Sequence, residues 1–542
     1  MPKISQWTRF ELELTSITDY DNPVQDVMVE VILQSPTSRN LTVNGFWNGG
    51  RTWKIRFSPD ETGQWTYVTH CSNTSDHGLN NQKGNFDCIP YSSDNPLYKH
   101  GAIRVSDNKR YLVHSDGTPF FWLGDTAWNA VLLSTETDWE KYLQDRVDKG
   151  FNVVQFVTTQ WRAANGDIDG RLPFIGKEKI QINPSFYQRM DDRMNVMNDH
   201  GIVGAPVLLW AISAETDPGM SLPDDQAILL ARYMLARYAS YRVIWILGGD
   251  GNYNGERAER WKKIGSAVFD GYSDQLATMH PQGMNWVADE FRHESWFSFN
   301  SYQSGHGDND ETLRWLCEGP PSCDWKKEPH HPEINLEPNY EAHNAYHSRK
   351  PHDAKAVRRA GYWSLLVSPT AGLTYGAHGI WGWQTKPEEP LNHNGTGIAP
   401  PWYEAIKLPG STHIKYMKEF FSSFEWWKLV PAPEMLIDQP GKSDPHKFVA
   451  VAKTDDNKCM VAYLTEGMEI ALLVPPSNGR TNLVPPSNGR TKNTELIKYP
   501  AVAKWFNPST GEWSKAGVVS QSIQKFCPTD NNDWVLWIGT TL

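Results

Sequence analysis

The amino-acid sequence predicts an α/β protein built as a (β/α)8 TIM barrel flanked by N-terminal and C-terminal antiparallel β-sandwich domains. A chain of 542 residues is too long for one hydrophobic core. Both ends of the chain alternate apolar and polar residues, which is typical of strands with one buried face. The middle repeats short apolar runs followed by stretches of helical spacing, as a parallel barrel requires. We therefore predict three domains, at residues 1–92, 93–428 and 429–542.

The N-terminal segment contains four stretches of period-two alternation: WTRFELELT, VMVEVILQS, TWKIRFSP and GQWTYVTHC. Turn-rich breaks such as DYDNP and SPDETG separate them. This pattern predicts a small sandwich of immunoglobulin type.

Eight apolar runs in the central segment are predicted barrel strands. A short hairpin precedes the first of them. The runs are Phe120–Trp128, Phe151–Thr159, Ile202–Trp210, Val243–Leu247, Ala277–His280, Trp296–Tyr302, Ile334–Glu337 and Gly372–Trp383. The alternative, an open doubly wound sheet, requires a Gly-rich phosphate loop after the first strand, and the motif GDTAW at that position is not one.

The C-terminal segment returns to strand patterning in KFVAVAKT, CMVAYLT, MEIALLV, AVAKWFNP and WVLWIG. It also contains a tandem near-duplication, LVPPSNGRTN at 473–482 and LVPPSNGRTK at 483–492. Because Pro-Pro-Ser-Asn-Gly favours turns, we expect the extra copy to lengthen a surface loop.

Charge and composition argue against several classes of function. The formal net charge is -11 and no Lys/Arg run stands out, which argues against a nucleic-acid partner. No apolar run reaches the 18 residues typical of a membrane span. The N-terminus has no apolar h-region, so we expect a cytoplasmic protein, or a secreted or periplasmic one if a leader has been removed. The six cysteines show no zinc-ligand spacing; Cys71 with Cys88 and Cys317 with Cys323 are either disulfides or free thiols.

Polar and aromatic side chains follow the predicted barrel strands, at the end where parallel barrels place their chemistry. A rim of this kind suits a polar, ring-shaped substrate, and the 25 Trp and 21 Tyr of the chain include faces on which sugar rings pack. The candidate substrate-binding residues are Asp125, Trp128, Gln160, Trp161, Trp210, Asn252, His280, Tyr302, His306, His378, Trp381 and Trp383. No nucleotide, flavin or phosphate motif and no convincing metal spacing accompany them, so we expect no cofactor and no metal.

Two carboxylates, Asp250 after the fourth strand and Glu337 after the seventh, are the candidate catalytic pair. A pair facing across a barrel mouth is the minimum requirement for hydrolysis of a glycosidic bond. The alternatives are that Asp250 caps the following helix and that Glu337 belongs to a loop ion pair, with Glu333 and Glu341 as its competitors. We expect His280 and His306 to reach Glu337 or the substrate, and Tyr302 and Asn339 to donate to Glu337.

Four motifs, FFWLGDTAW, WILGGD, EPNYE and GLTYGAHGIWGW, give the central segment a family resemblance. It resembles the apiosidase-like glycoside hydrolases, family 140 and its relatives. The N-terminal segment is similar to the immunoglobulin-like domain that often precedes such barrels, and the C-terminal segment to the collagen-binding-type sandwich that often follows. The motifs are specific for the family and not for one sugar.

The resemblance implies a retaining, exo-acting hydrolase of plant cell-wall, pectic glycans. It also implies that Asp250 is the acid/base and Glu337 the nucleophile. Related barrels usually carry an Asn-Glu pair at the fourth strand, where this chain has Gly249-Asp250. Because Asp is one methylene shorter than Glu, the gap between the carboxylates widens, which makes retention less secure than hydrolysis.

Three other functions compete with this hypothesis. The first is a non-catalytic glycan-binding protein, against which the presence of both carboxylates argues. The second is a related barrel hydrolase with a different sugar specificity. The third is a polysaccharide lyase, which requires a Tyr/His or Lys base beside a carboxylate neutraliser, and no such set is evident.

Overall fold

Two β-sheets pack face to face at the N-terminus of the computed structural model, which describes residues 1–474, 501–519 and 521–539. One sheet has the order β1-β8-β7-β3-β4 and the other β2-β6-β5; only β1 and β8 pair in parallel. Trp53, Trp65 and Phe86 lie in the shared core. The strands are β1 (Lys3–Ser5), β2 (Phe10–Thr15), β3 (Val29–Gln34), β4 (Asn40–Asn44), β5 (Phe46–Gly49), β6 (Thr52–Phe57), β7 (Gly63–Cys71) and β8 (Lys83–Ile89).

The central segment forms a nearly closed barrel of eight strands, in the order β18-β17-β16-β13-β12-β21-β20-β19. A three-stranded sheet precedes it, made of β9 (Ile103–Val105), β10 (Leu112–His114) and β11 (Pro119–Phe120), and β14 (Phe174–Ile175) with β15 (Gln181–Ile182) forms a hairpin after its second strand. The barrel strands are β12 (Trp122–Thr126), β13 (Val153–Val157), β16 (Val203–Trp210), β17 (Trp245–Gly251), β18 (Ala277–Pro281), β19 (Asn300–Gln303), β20 (Glu333–Glu337) and β21 (Gly372–Gly376).

Neighbouring barrel strands pair in parallel throughout. The barrel closes between β18 and β19 by a bridge of Ala277 with Phe297 and by the hydroxyl of Thr278, which donates to the carbonyl of Phe299 at 2.7 Å. The expected (β/α)8 barrel between antiparallel sheets is therefore confirmed.

Helices surround the barrel and fill the connections between its strands. The longer ones bury apolar faces against the strands, for example Trp139 of α4 and Trp363 of α12. The α-helices are α1 (Pro23–Asp26), α2 (Pro96–Lys99), α3 (Ala130–Leu133), α4 (Glu136–Asp148), α5 (Pro184–Asp199), α6 (Pro218–Ser221), α7 (Asp224–Tyr238), α8 (Glu256–Phe269), α9 (Ala288–Phe291), α10 (Asp310–Glu318), α11 (Pro320–Cys323), α12 (Ala354–Leu366), α13 (Trp402–Ala405) and α14 (Pro409–Ser422). Five short 3-10 turns lie at Asp324–Lys326, Trp426–Lys428, Pro433–Met435, Pro440–Lys442 and Pro445–Lys447.

Some strand bounds differ from those expected. The fourth strand runs on to Gly251 because its backbone pairs with β16 at Gly248 and Gly249 and with β18 as far as Gly251. The eighth strand ends at Gly376, earlier than expected, because the following residues form turns.

The C-terminal segment forms a six-stranded sheet, β22-β23-β24-β29-β26-β27, and a two-stranded sheet, β25-β28. Every residue of β24 is buried: Cys459, Val461 and Tyr463 belong to the core shared with the barrel, whereas the alternate residues belong to a separate core between the two sheets. The strands are β22 (Leu429–Pro431), β23 (Ala450–Thr454), β24 (Cys459–Leu464), β25 (Ile470–Leu473), β26 (Ala501–Phe506), β27 (Trp513–Val519), β28 (Ile523–Phe526) and β29 (Trp534–Gly539). The duplicated segment lies outside the described residues, apart from Leu473 and Val474 at its start.

All six cysteines are free thiols, so neither candidate disulfide is present. No helix among the described residues combines the length and the apolar character needed to cross a membrane.

A buried ion-pair network joins the N-terminal sandwich to the barrel. Asp191 of α5 accepts from Arg56 of β6 at 2.7 Å and from Arg237 of α7 at 2.6 Å. Both guanidinium groups are almost entirely buried, and Arg56 also donates to the backbone carbonyl of Arg237. Arg56 also pairs with Glu11 of β2 at 2.7 Å, so that Asp191 is the carboxylate shared by the two buried cations.

We expect Asp191→Ala to lower the stability of the protein by about 3–5 kcal/mol, since it leaves Arg237 buried without a counter-charge and Arg56 with Glu11 as its remaining partner. The shift of the melting temperature measures the loss. The matched control is Asp60→Ala, which breaks the exposed Arg39–Asp60 pair at 2.6 Å and should have a far smaller effect. Equal shifts in the two variants would show that the buried network has no special part in joining the domains.

Candidate active site

The fourth barrel strand ends in a bulge that carries Asp250. The pairing of β17 with β18 shifts between Gly249 and Gly251, so that Asp250 is the extra residue. Its φ of 48° lies in the left-handed region, which a non-glycine residue rarely adopts. A bulge re-aims the side chain that it carries. The following helix starts at Glu256 with Gly255 at its N-cap position, so Asp250 does not cap it.

The glycines around Asp250 make room for aromatic rings. Neither Gly248 nor Gly249 has a positive φ. A Cβ atom at Gly249 would lie 2.4 Å from the ring of Trp210, and one at Gly251 would lie 2.5 Å from the ring of Tyr253. The glycine-rich sequence therefore allows two large side chains to pack over the strand end.

Glu337, at the end of the seventh strand, lies between two histidines. His306 Nε2 is 3.0 Å from Oε1 of Glu337, and His280 Nε2 is 3.3 Å from Oε2. The backbone N–H of Tyr340 donates to His306 Nδ1 at 3.2 Å, so a neutral His306 carries its proton on Nε2 and donates it to the carboxylate. The expected contacts of both histidines with Glu337 are present.

The two other donors expected for Glu337 do not reach it. Tyr302 packs instead against Trp286 and Trp315, on the helix side of β19. Asn339 Nδ2 is buried without a hydrogen-bond partner, among residues of α10 and α12. The side chains that approach Glu337 are those of His280 and His306, and not those of Tyr302 and Asn339.

The surroundings move the pKa values of the two carboxyl groups in opposite directions. Burial, followed by the negative charge of Glu337, raises the pKa of Asp250 to about 7, against smaller lowering effects of His280 and Arg162. Burial alone would also raise the pKa of Glu337, but the hydrogen bond of His306 and the nearby imidazole of His280 outweigh it and hold the pKa well below its ordinary value. Near neutral pH one group holds its proton and the other is ionised.

The two competitors of Glu337 have other partners. Glu341 accepts from the hydroxyl of Tyr375 at 2.6 Å and from the backbone N–H of Gly410 at 3.0 Å. Glu333 begins β20, at the end of the barrel opposite to Glu337, and is buried. Glu337 is thus the carboxylate of this strand that lies near Asp250.

An aromatic wall stands beside His280. The rings of Trp128 and Trp210 lie 5.2 and 6.2 Å from its ring, and they meet each other edge to face at 5.1 Å. Trp161 continues the wall at 4.4 Å from Trp210. Trp210 Nε1 is buried without a hydrogen-bond partner among the described residues, so its N–H can donate to a ligand.

The loop after the eighth strand supplies a second wall. His378 donates from Nε2 to the carbonyl of Gly397 at 2.8 Å, and its Nδ1 accepts from Trp381 Nε1 at 3.2 Å. Trp381 in turn lies 4.8 Å from His393, a histidine that the sequence analysis missed. Burial lowers the pKa of His378 and of His393 to about 4, so both imidazoles are neutral in the site at ordinary pH.

Two further candidate residues are directed away from the strand-end pocket. Asp125 lies on the outer face of β12, where its carboxylate accepts from Tyr142 at 2.5 Å and Arg146 at 2.6 Å, both on α4. Trp383 stacks on Trp402 at 4.7 Å and meets Tyr142 in the helix layer. Their observed contacts support the barrel wall and not the binding of substrate.

Gln160 and Asn252 lie nearer to the mouth. Gln160 follows β13, and its Oε1 is buried without a partner. Asn252 is exposed and lines a cavity of about 480 Å³ between the loops after the third, fourth and fifth strands. Arg257 and Gln282 line the same cavity.

Several residues of the site were missed because they lie in loops beyond the strand ends. Arg162, in the loop after β13, has Nη2 at 3.7 Å from Oδ2 of Asp250. His343 and Tyr346 pack against His306, with ring centroids 4.4 and 5.5 Å away. The ring of Tyr346 is half exposed. His343 and Tyr346 share the EPNYEAHNAY segment with Glu337, so the concentration of histidine and tyrosine there was the available signal.

The described residues contain no group of three or more His, Cys, Asp or Glu side chains placed to hold a metal ion. His330 and His331 instead approach backbone carbonyl oxygens, those of Lys327 and of Arg292 and Ser298.

A barrel with two such carboxyl groups at the carboxyl end of its strands defines a glycoside hydrolase. The family model described as apiosidase-like, catalytic domain, matches residues 106–428, and a second, described as a domain of unknown function (DUF5060), matches residues 3–72. The first match spans more than half of the chain, and the protein belongs to the apiosidase-like family.

Solved structures share the fold. One titled as a glycoside hydrolase is 22% identical, with a TM-score of 0.68 over 82% of this chain and 97% of its own. A family 5 glycoside hydrolase from Bacteroides vulgatus ATCC 8482 is 22% identical, with a TM-score of 0.69 over 82% of this chain and 94% of its own. Another chain from that organism, described as a glycoside hydrolase, is 18% identical with a TM-score of 0.71, over 99% of this chain and 100% of its own. A search of curated protein sequences finds no match.

We expect His306→Ala to raise the pKa of Glu337, since burial then acts against one donor fewer. The acidic limb of the pH profile of kcat/KM should move upward by about one pH unit or more. Rate measurements from pH 3 to 7 on an aryl glycoside detect the shift. A variant with the native acidic limb would exclude His306 as the donor that keeps Glu337 ionised.

Proposed function

We propose that the protein is a retaining, exo-acting hydrolase that releases a terminal sugar from a pectic plant cell-wall glycan, with Glu337 as nucleophile and Asp250 as acid/base. The observation that carries the proposal is the pair itself: a carboxylate clamped by two imidazoles and, near it, a buried carboxyl group whose pKa is raised to about 7. These are the two protonation states that the reaction needs at its start.

In the first step, a carboxylate oxygen of Glu337 attacks the anomeric carbon while Asp250 gives its proton to the glycosidic oxygen. The bond from the anomeric carbon to that oxygen breaks, the leaving group departs as an alcohol, and the sugar remains as an ester of Glu337. Esterification removes the negative charge that helps to raise the pKa of Asp250. Asp250 therefore becomes a stronger acid once its proton has been used.

In the second step, the Asp250 carboxylate takes a proton from water, whose oxygen attacks the anomeric carbon and frees Glu337. Two inversions at this carbon give retention of configuration. The β-bulge at Asp250 supports the assignment of this residue as the acid/base. An extra residue in the strand changes the direction of the side chain that it carries, which here is the short side chain of Asp250.

Exo action is supported by the loops around the two carboxyl groups. The loop after the eighth strand bonds to the loop after the seventh, through the backbone N–H of Asn344 and the carbonyl of Thr396 at 2.9 Å. It also bonds to the loop after the second strand, through Asn392 Nδ2 and the carbonyl of Arg162 at 2.6 Å. We propose that these three joined loops leave room for one terminal sugar on the side of Glu337.

The pectic substrate is supported by the cavity that Asn252 and Tyr253 line, just after Asp250 in the chain, and we propose that the leaving group protonated by Asp250 lies there. Arg257 lines that cavity and has no ion pair within the described part of the chain. Arg260, its neighbour, is already paired with Asp224 at 2.8 Å. An unpaired guanidinium group suits the carboxylate of a uronic acid, the sugar class of pectic backbones.

Glu337→Gln should reduce turnover to background while sugar binding persists, because the amide is nearly the same shape as the carboxylate. Asp250→Asn should reduce the rate on natural glycans by roughly 10²–10⁴ and much less on aryl glycosides with good leaving groups. Steady-state rates on both substrate types measure the difference. An equal loss on both types would contradict the acid role of Asp250, and an active Glu337→Gln enzyme would exclude Glu337 as nucleophile.

Product analysis tests the stereochemistry and the substrate class. Incubation with pectic oligosaccharides, followed by proton NMR in the first minutes, should show one released monosaccharide with the anomeric configuration of the substrate. Neutral glycans of the same length serve as the control and should react more slowly. Initial release of the opposite anomer would show inversion, and release of internal fragments would contradict exo action.

A further inference from the structure

Asp250 takes part in one ion pair among the described residues, with Arg162. The distance from Arg162 Nη2 to Asp250 Oδ2 is 3.7 Å, about 1 Å longer than a charge-assisted hydrogen bond. The side chains are partly exposed, by 28% for Arg162 and 18% for Asp250. The cation is therefore close enough to act on the carboxyl group through its charge, without a tight hydrogen bond that would hold the group ionised.

The backbone of Arg162 is held by two hydrogen bonds, one at its N–H and one at its carbonyl. Its N–H donates to Oδ1 of Asp217 at 2.9 Å, and its carbonyl accepts from Asn392 Nδ2 at 2.6 Å. Asp217 is fully buried, and its other oxygen accepts the backbone N–H groups of Ile212 and Ser213 at 2.9 and 2.7 Å. Arg162 is thus held where the loops after the second, third and eighth strands meet.

This contact matters because one carboxyl group has to work in two protonation states. A bidentate ion pair would keep Asp250 ionised and prevent it from donating a proton. Without any cation, burial and the charge of Glu337 would keep it protonated and prevent it from acting as a base. A guanidinium group held at an intermediate distance suits the alternation between the two forms.

We propose that Arg162, held by Asp217 and Asn392, is the positioning residue that balances Asp250 between its acid and base forms. The inference rests on the proposed acid/base role of Asp250. The other groups that face Asp250 belong to neighbouring strands and loops. They are Glu337, His280, Asp217 and the hydroxyl groups of Tyr253 and Tyr346.

The test is the pH profile of kcat/KM for the full-length protein between pH 5 and 10, on a pectic oligosaccharide that the native enzyme cleaves. Arg162→Gln should move the basic limb upward by about one pH unit, since Asp250 then keeps its proton to higher pH. Arg162→Lys retains a cation and should leave the limb near its native position. The control is Arg349→Gln, which removes an exposed cation near Tyr346 that makes no ion pair within the described part of the chain.

The melting temperatures of all three variants identify any that fail to fold. If Arg162→Gln does not fold, the position of the basic limb in Arg162→Lys still tests the inference. A rate that falls equally at every pH, with the basic limb unmoved, would overturn the inference. An equal shift in Arg349→Gln would also overturn it, because the effect would then be one of overall charge. Asp250→Asn separates this inference from the proposed function: if its basic limb persists on an aryl glycoside, Asp250 is not the acid, whatever Arg162 does.

Discussion

Two buried carboxyl groups of like charge cannot both ionise at low cost, and the arrangement of the barrel mouth follows from that constraint. Glu337 is ionised because two imidazoles approach it from neighbouring strands. Asp250 keeps a proton because it is buried within the field of that charge. The aromatic wall and the neutral histidines of the eighth-strand loop exclude water without adding a competing cation. The surroundings of the site therefore favour one protonation state, in which Glu337 is ionised and Asp250 is protonated.

The barrel can place these groups accurately because its polar interior is tied together by hydrogen bonds. Trp122 Nε1 donates to the hydroxyl of Thr374 at 2.9 Å, and Gln155 bridges the hydroxyl of Thr126 and the carbonyl of Leu336, both at 2.9 Å. Leu336 immediately precedes Glu337. The position of the proposed nucleophile is thus fixed from inside the barrel as well as by its histidines.

The sequence predicted those parts of the site that depend only on where a strand ends. Asp250, Glu337, His280 and His306 each lie at the end of a predicted strand or within four residues after it, and they lie together. Asp125, Tyr302 and Trp383 follow similar runs, yet they contact the helix layer. Strands buried on both faces carry no polar alternation, so the sequence does not show which residues point inward. Arg162, Asp217 and Tyr346 lie in loops whose paths depend on tertiary hydrogen bonds, which no local pattern encodes.

The C-terminal sheet shares its core with the barrel, and this feature bears on how the protein can be divided. Phe448, Tyr463 and Trp537 belong to the same apolar cluster as the barrel strands, although the match to the catalytic family ends at residue 428. Tyr463 stacks on Tyr362 of α12 at 4.6 Å, and Asp533 pairs with Arg358 of the same helix at 2.7 Å. A chain cut at the family boundary would expose this apolar face and leave Arg358, which is buried in the intact protein, without its ion pair. The catalytic domain that the family model defines is therefore shorter than the part of this chain that shares one apolar core.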